Sequence, residues 1–130
     1  MKERRAFPRY PINFPVSIAI ESKSGLQYFD TKSVDISRSS IQISCDSQLI
    51  EVLLSQDEYP HLVQLHFKMP GDKSVYSIQS QVVTHRRLAQ NHYYLVIVFN
   101  HFVEGSDDDL AEDLKEYEPG GFRVSANWAS

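Results

Sequence analysis

Arg5 and Arg9 are the ends of the segment Arg-Ala-Phe-Pro-Arg and place two guanidinium groups four residues apart. Each is a permanently charged fork of N–H donors, a shape that suits phosphate oxygens and also the O6/N7 edge of guanine. Further along, Asp35 and Ser37 open the segment Asp-Ile-Ser-Arg-Ser-Ser, which ends at Ser40. A carboxylate two residues before a hydroxyl supplies an acceptor for guanine N–H groups beside a short polar partner. Together the two segments describe a receptor site for a small anionic nucleotide, and nothing in this chemistry breaks a bond.

In this order the two segments resemble the signature of the PilZ family of cyclic di-GMP receptors, R-x-x-x-R followed by [DN]-x-S-x-x-G. Arg5 and Arg9 match the first part and Asp35 and Ser37 the second, while Ser40 stands where the family has glycine. The resemblance runs to about Glu118. It implies an all-β fold, a six-stranded antiparallel β-barrel with a C-terminal α-helix, and a receptor rather than an enzyme. It also implies that Asp35 and Ser37 face the guanine of bound cyclic di-GMP.

Arg4 acquires a role by the same resemblance. In the family, an arginine just before R-x-x-x-R accompanies two intercalated cyclic di-GMP molecules per chain, and an apolar residue accompanies one. A stacked pair crowds four phosphates together and calls for an additional cation, and a third guanidinium can stack on an exposed guanine. The expected ligand-binding set is therefore Arg4, Arg5, Arg9, Asp35, Ser37 and Ser40. A glycine at position 40 would tolerate positive φ or let a ligand approach the backbone. Serine there is expected to cost on the order of 1 kcal/mol, weakening binding about fivefold to tenfold without abolishing it. Arg38, inside the second segment, reads either as a phosphate partner or as a solvated charge. Arg86 and Arg87 read as a charged strand end.

The elements that must hold these residues are legible from hydrophobic period. Ile12, Phe14, Val16, Ile18 and Ile20 alternate as in a strand with one buried face, with Pro15 on the opposite phase as at an edge or bulge. A turn over 22–25 leads to a second strand over 26–34, and Ile41, Ile43 and Cys45 alternate again, so Asp35 to Ser40 lie at a strand connection. The stretch Leu49 to Leu54 is too short to decide and reads as irregular or a single turn. Val63, Leu65, Phe67 and Met69 end at the Pro70-Gly71-Asp72 turn, and long strands follow over 75–87 and 92–102. The second of these is apolar on both phases from Tyr93 to Phe99, as in a central strand. Such a series suggests a closed or nearly closed barrel. Ser106 reads as an N-cap with Asp107, Asp108 and Asp109 in the first turn, opening a helix to about Tyr117. Leu110, Leu114 and Tyr117 would pack on the barrel and leave the acids in water. Pro119, Gly120 and Gly121 stop it.

At 130 residues the chain is one domain. We expect a flexible basic ligand-binding segment over 1–11, the barrel and helix over 12–118 and a tail over 119–130. Too little apolar surface holds residues 1–11 in one conformation, so the nucleotide is expected to order them and create a face for an unidentified downstream protein. The net charge of −4 hides an asymmetry: +3 over residues 1–10 and −7 over 104–118. The acidic helix argues against nucleic acid, including a single-strand reading that would use Tyr28, Phe29, Tyr93 and Tyr94. The dispersed histidines His61, His66, His85, His92 and His101 show no zinc spacing, so no metal is expected. One cysteine, Cys45, and no apolar run near the roughly 20 residues of a membrane span point to a cytoplasmic protein without membrane insertion. Pro8, Arg9, Pro11, Asn13 and Pro15 interrupt any signal-peptide core. The competing reading is a degenerate family member that acts as a protein-interaction adaptor and binds cyclic di-GMP weakly or not at all.

Overall fold

The computed structural model describes residues 7–71 and 74–117. Six strands, β1 (Pro15–Ser22), β2 (Gly25–Ile36), β3 (Ser40–Cys45), β4 (His61–Lys68), β5 (Val75–Ala89) and β6 (His92–Glu104), close into a barrel in the order β1-β2-β3-β6-β5-β4. All neighbours are antiparallel. The period-2 pattern is the cause: Val16, Ile18 and Ile20 from β1, Ile41 and Ile43 from β3, Leu65 and Phe67 from β4, and Leu95 and Ile97 from β6 point inward and fill one core. Tyr94, Val96 and Val98 take the other face of β6 and are half-buried.

The first strand begins at Pro15, not at Ile12. Proline lacks the N–H that a ladder needs, and β1 pairs with β4 only from Val16 onward. The three residues before it bond to Ser33 instead. Ser33 donates its N–H to the Phe14 carbonyl at 2.9 Å and its hydroxyl to the Ile12 carbonyl at 2.6 Å. Phe14 N–H donates back to the Ser33 hydroxyl at 2.9 Å. One step earlier, Tyr10 exchanges two backbone bonds with Ile36, at 2.8 and 3.0 Å, and its side chain is buried. The segment from Tyr10 to Phe14 is thus laid along β2.

Ser47–Leu54 forms an eight-residue helix, α1, where the sequence suggests irregular chain or a single turn. Asp46 caps it, accepting from Leu49 N–H at 3.2 Å. So short a helix is marginal alone; burial of Leu49, Ile50 and Leu53 against the barrel core stabilises it.

The C-terminal helix α2 (Asp107–Leu114) starts at Ser106, whose hydroxyl accepts from Asp109 N–H at 3.0 Å. Leu110 and Leu114 are buried as their spacing requires, and a 3-10 turn follows over Lys115–Tyr117. Not all the acids lie in water. Asp113 is buried and accepts from the Tyr76 hydroxyl at 2.7 Å and from Ser74 N–H at 3.3 Å. A buried carboxylate needs such donors. Burial, and next the bonded Asp113, hold the Tyr76 phenol above its ordinary pKa, so it remains a donor.

Gly105 makes this docking possible. It takes φ +77°, and a Cβ there would stand 2.6 Å from the Tyr76 ring. Gly105→Ala is expected to destabilise the fold by about 1–2 kcal/mol through the left-handed backbone, with the steric contact adding to it. A urea midpoint unchanged from wild type would contradict that account.

Candidate functional site

β2 carries an extra residue opposite β3. Its register shifts between Ser33, which faces Ile43, and Asp35, which faces Gln42. The bulge at Val34 rotates the strand by one position, so that Ser33 and Ile36 both point into the barrel and Asp35 points out. In an unbroken strand Asp35 would share the phase of Ser33 and enter the core.

Arg9 reaches across to that carboxylate. Its Nε and Nη2 both donate to Asp35 Oδ1, at 2.8 and 2.7 Å, and its Nη1 donates to Ser40 Oγ at 2.5 Å. Both side chains of the ion pair are partly exposed, 38% for Arg9 and 23% for Asp35. Water screens the pair accordingly. Residues 26 and 31 positions from Arg9 are thereby gathered beside it.

Ser37 has a different task here. It is fully buried, and its hydroxyl accepts from Ser39 N–H at 3.1 Å and Ser40 N–H at 3.2 Å, while its own N–H donates to the Ser40 carbonyl at 2.8 Å. These bonds close the tight turn between β2 and β3. Ser37 Oγ also lies 3.4 Å from Ser40 Oγ, so Asp35, Arg9, Ser40 and Ser37 form one continuous chain of polar contacts. Ser40 is the first residue of β3, paired with Val98 in extended backbone. The left-handed conformation weighed for this position is absent, so backbone strain is not what serine brings. It brings instead a hydroxyl that occupies Arg9.

Arg4 and Arg5 lie outside the described residues, as does the tail over 119–130. Arg38 is ion-paired rather than left to solvent alone: its Nη2 meets Asp107 Oδ1 at 2.7 Å and Asp108 Oδ1 at 3.8 Å. Its guanidinium also stands 5.0 Å from the ring centre of Phe7. One side chain therefore joins the first segment, the β2–β3 turn and the start of α2. The sequence places Asp107 only in the first turn of the helix and gives Phe7 no role, because the Arg38–Asp107 link spans 69 residues. The available hint was that Phe7 lies inside Arg-Ala-Phe-Pro-Arg and Arg38 inside Asp-Ile-Ser-Arg-Ser-Ser.

Two clefts, of about 460 Å³ between β2 and α1 and about 630 Å³ along β1, β4 and β5, lie away from the Arg9 cluster and contain none of its residues. Cys45, at the first cleft, has its thiol pushed up to about 12 by burial and by the charge of Asp46, which makes it a poor nucleophile at neutral pH. Among the described residues no group of three or more His, Cys, Asp or Glu is placed to hold a metal ion, and no helix is long and apolar enough to cross a membrane.

A family model described as the PilZ domain matches residues 3–117. Two solved structures share the fold. One is titled MrkH, a c-di-GMP-dependent transcription regulatory factor; it is 14% identical, with TM-score 0.54 over 81% of this chain and 46% of that one. The other is the Borreliella burgdorferi PlzA protein in complex with c-di-GMP, 10% identical, with TM-score 0.57 over 98% of this chain and 54% of that one. The chain thus spans about half the length of either protein. No curated protein matches it.

Proposed function

Because the chain belongs to the PilZ domain family, we propose that it is a cyclic di-GMP receptor whose site is built on Arg9, Asp35 and the β2–β3 turn. The observation that carries this reading is the convergence of both signature segments: Arg9 rests on Asp35 and Ser40 although they are far apart in sequence. Arg9 would exchange Ser40 for a ligand phosphate or a guanine O6/N7 edge. Both Arg9 bonds to Asp35 fall on Oδ1, so Oδ2 is the acceptor offered to guanine N–H donors. Arg4 and Arg5 would supply the remaining positive charge. Ser37 would act by shaping the turn.

The signal would leave through the same contacts. Arg38 adjoins the turn and holds the start of α2 through Asp107, so phosphates arriving beside it compete with that carboxylate. A downstream protein would read the result. The transition needs no covalent step.

Calorimetric titration with cyclic di-GMP and, separately, with a short oligonucleotide tests the proposal. Saturable binding of the dinucleotide alone is expected; binding of the oligonucleotide alone would refute it. One observation favours the adaptor reading, namely that Ser40 fills the family's glycine position and occupies Arg9. Ser40→Gly is therefore expected to tighten binding by about fivefold or less, by releasing one Arg9 donor and opening space beside it. Wild-type protein that stays unbound at high micromolar ligand, and binds once this change is made, would establish the adaptor instead.

A further inference from the structure

β5 outruns its neighbour. Its last rung to β4 joins Val82 to His61, and from there to Ala89 it is paired with β6 alone. All seven residues from Val83 to Ala89 are exposed, and among the described residues no backbone group beyond β6 bonds to them. Closure of a barrel removes sheet edges. This arm restores one.

Three features distinguish the arm from a frayed hairpin. A register shift between Val82 and Thr84 carries it off the barrel wall, as bulges at barrel rims do. Its tip is anchored: Ser47 N–H and hydroxyl, at the start of α1, both donate to Asn91 Oδ1, at 2.9 and 2.7 Å. Its charge is of one sign, since no Asp or Glu occurs from Val75 to Val103 in a chain whose net charge is −4. Arg86 stands 5.7 Å from the Tyr94 ring centre, and Arg87 Nε donates to the Ala89 carbonyl at 3.2 Å. Neither meets a carboxylate among the described residues. As neighbours in a strand they project from opposite faces of the ribbon.

We infer that the free edge of β5 from Val83 to Leu88 receives an acidic, extended segment of a partner protein as an added strand. Backbone bonds would supply affinity, and carboxylates on successive residues would meet Arg86 on one face and Arg87 on the other. A second copy of this chain is the poorer occupant. Pairing two such arms sets arginines against arginines across the ladder, and the chain's own acidic stretch is committed to α2. Nucleic acid would find only two arginines on the arm of an acidic protein. The inference goes beyond the receptor reading and does not depend on it.

The test uses the full chain without nucleotide and the end-blocked hexapeptide Val-Thr-Glu-Glu-Val-Thr. Anisotropy titration should show binding that weakens with salt, and hydrogen exchange should slow at amides within 83–88. The Arg86→Glu/Arg87→Glu double variant, whose folding is checked by its unchanged spectrum elsewhere, should lose at least about tenfold in affinity. It should instead bind the Lys-Lys counterpart. The same Glu-Glu peptide with methylated backbone nitrogens keeps its charge but cannot pair, and should not bind. Undetectable binding of the first peptide, equal binding of the methylated one, protection confined to another strand, or displacement by a short single-stranded oligonucleotide would each overturn the inference. Since no cyclic di-GMP is present, failure here leaves the receptor proposal intact.

Discussion

Arg9→Ala is expected to weaken cyclic di-GMP binding by about 1.5–3 kcal/mol, from about tenfold to more than a hundredfold, because it removes a charge-assisted contact. The structure adds a reason for a value toward the upper end. Arg9 is already held at the site by Asp35, at 2.7 and 2.8 Å, so little side-chain entropy is lost when a ligand takes its remaining donors. Its loss also strands the Asp35 carboxylate without its cation. Arg5→Ala is expected to act in the same range, and so is Asp35→Ala, which removes both the guanine acceptor and the group that orients Arg9. Arg123→Ala, outside both segments, is the control. Calorimetry that finds affinity unchanged in both arginine variants would show that the site is misplaced, even with the family settled.

Two cyclic di-GMP molecules per chain are expected at saturation, falling to one in Arg4→Leu with binding itself retained. The argument is electrostatic. Two stacked dinucleotides bring four phosphates together, and the ligand must be neutralised by cations that a single molecule does not require. Arg9 supplies one, and Arg38 is engaged by Asp107 at 2.7 Å, so it is not simply available as another. Arg4 and Arg5 therefore have to carry the difference. A guanidinium can also stack on the outer guanine face. Wild-type stoichiometry of one in calorimetry would exclude the intercalated pair and leave the receptor assignment standing.

Local pattern alone determined much of this molecule. Alternation in Val16–Ile20, Ile41–Ile43 and Val63–Phe67 marks core strands because the side-chain period of a strand is two, whatever it pairs with. Ser106 followed by three aspartates and by Leu110 and Leu114 marks a capped amphipathic helix for a similarly local reason. The family could be recognised from the two signature segments because residue types and their spacing belong to the sequence alone, and the PilZ domain model matches residues 3–117. What required the tertiary structure depends on contacts between distant residues. Whether Leu49–Leu53 coils into α1 is decided by the barrel core that buries it. The outward aim of Asp35 comes from a bulge, which exists only relative to β3. Asp113 is drawn inward by Tyr76, 37 residues away, and Arg38 is neutralised by Asp107, 69 residues away. Periodicity specifies which face of an element is apolar; register and ion pairing are properties of two elements at once, and only the folded chain brings both to the same place.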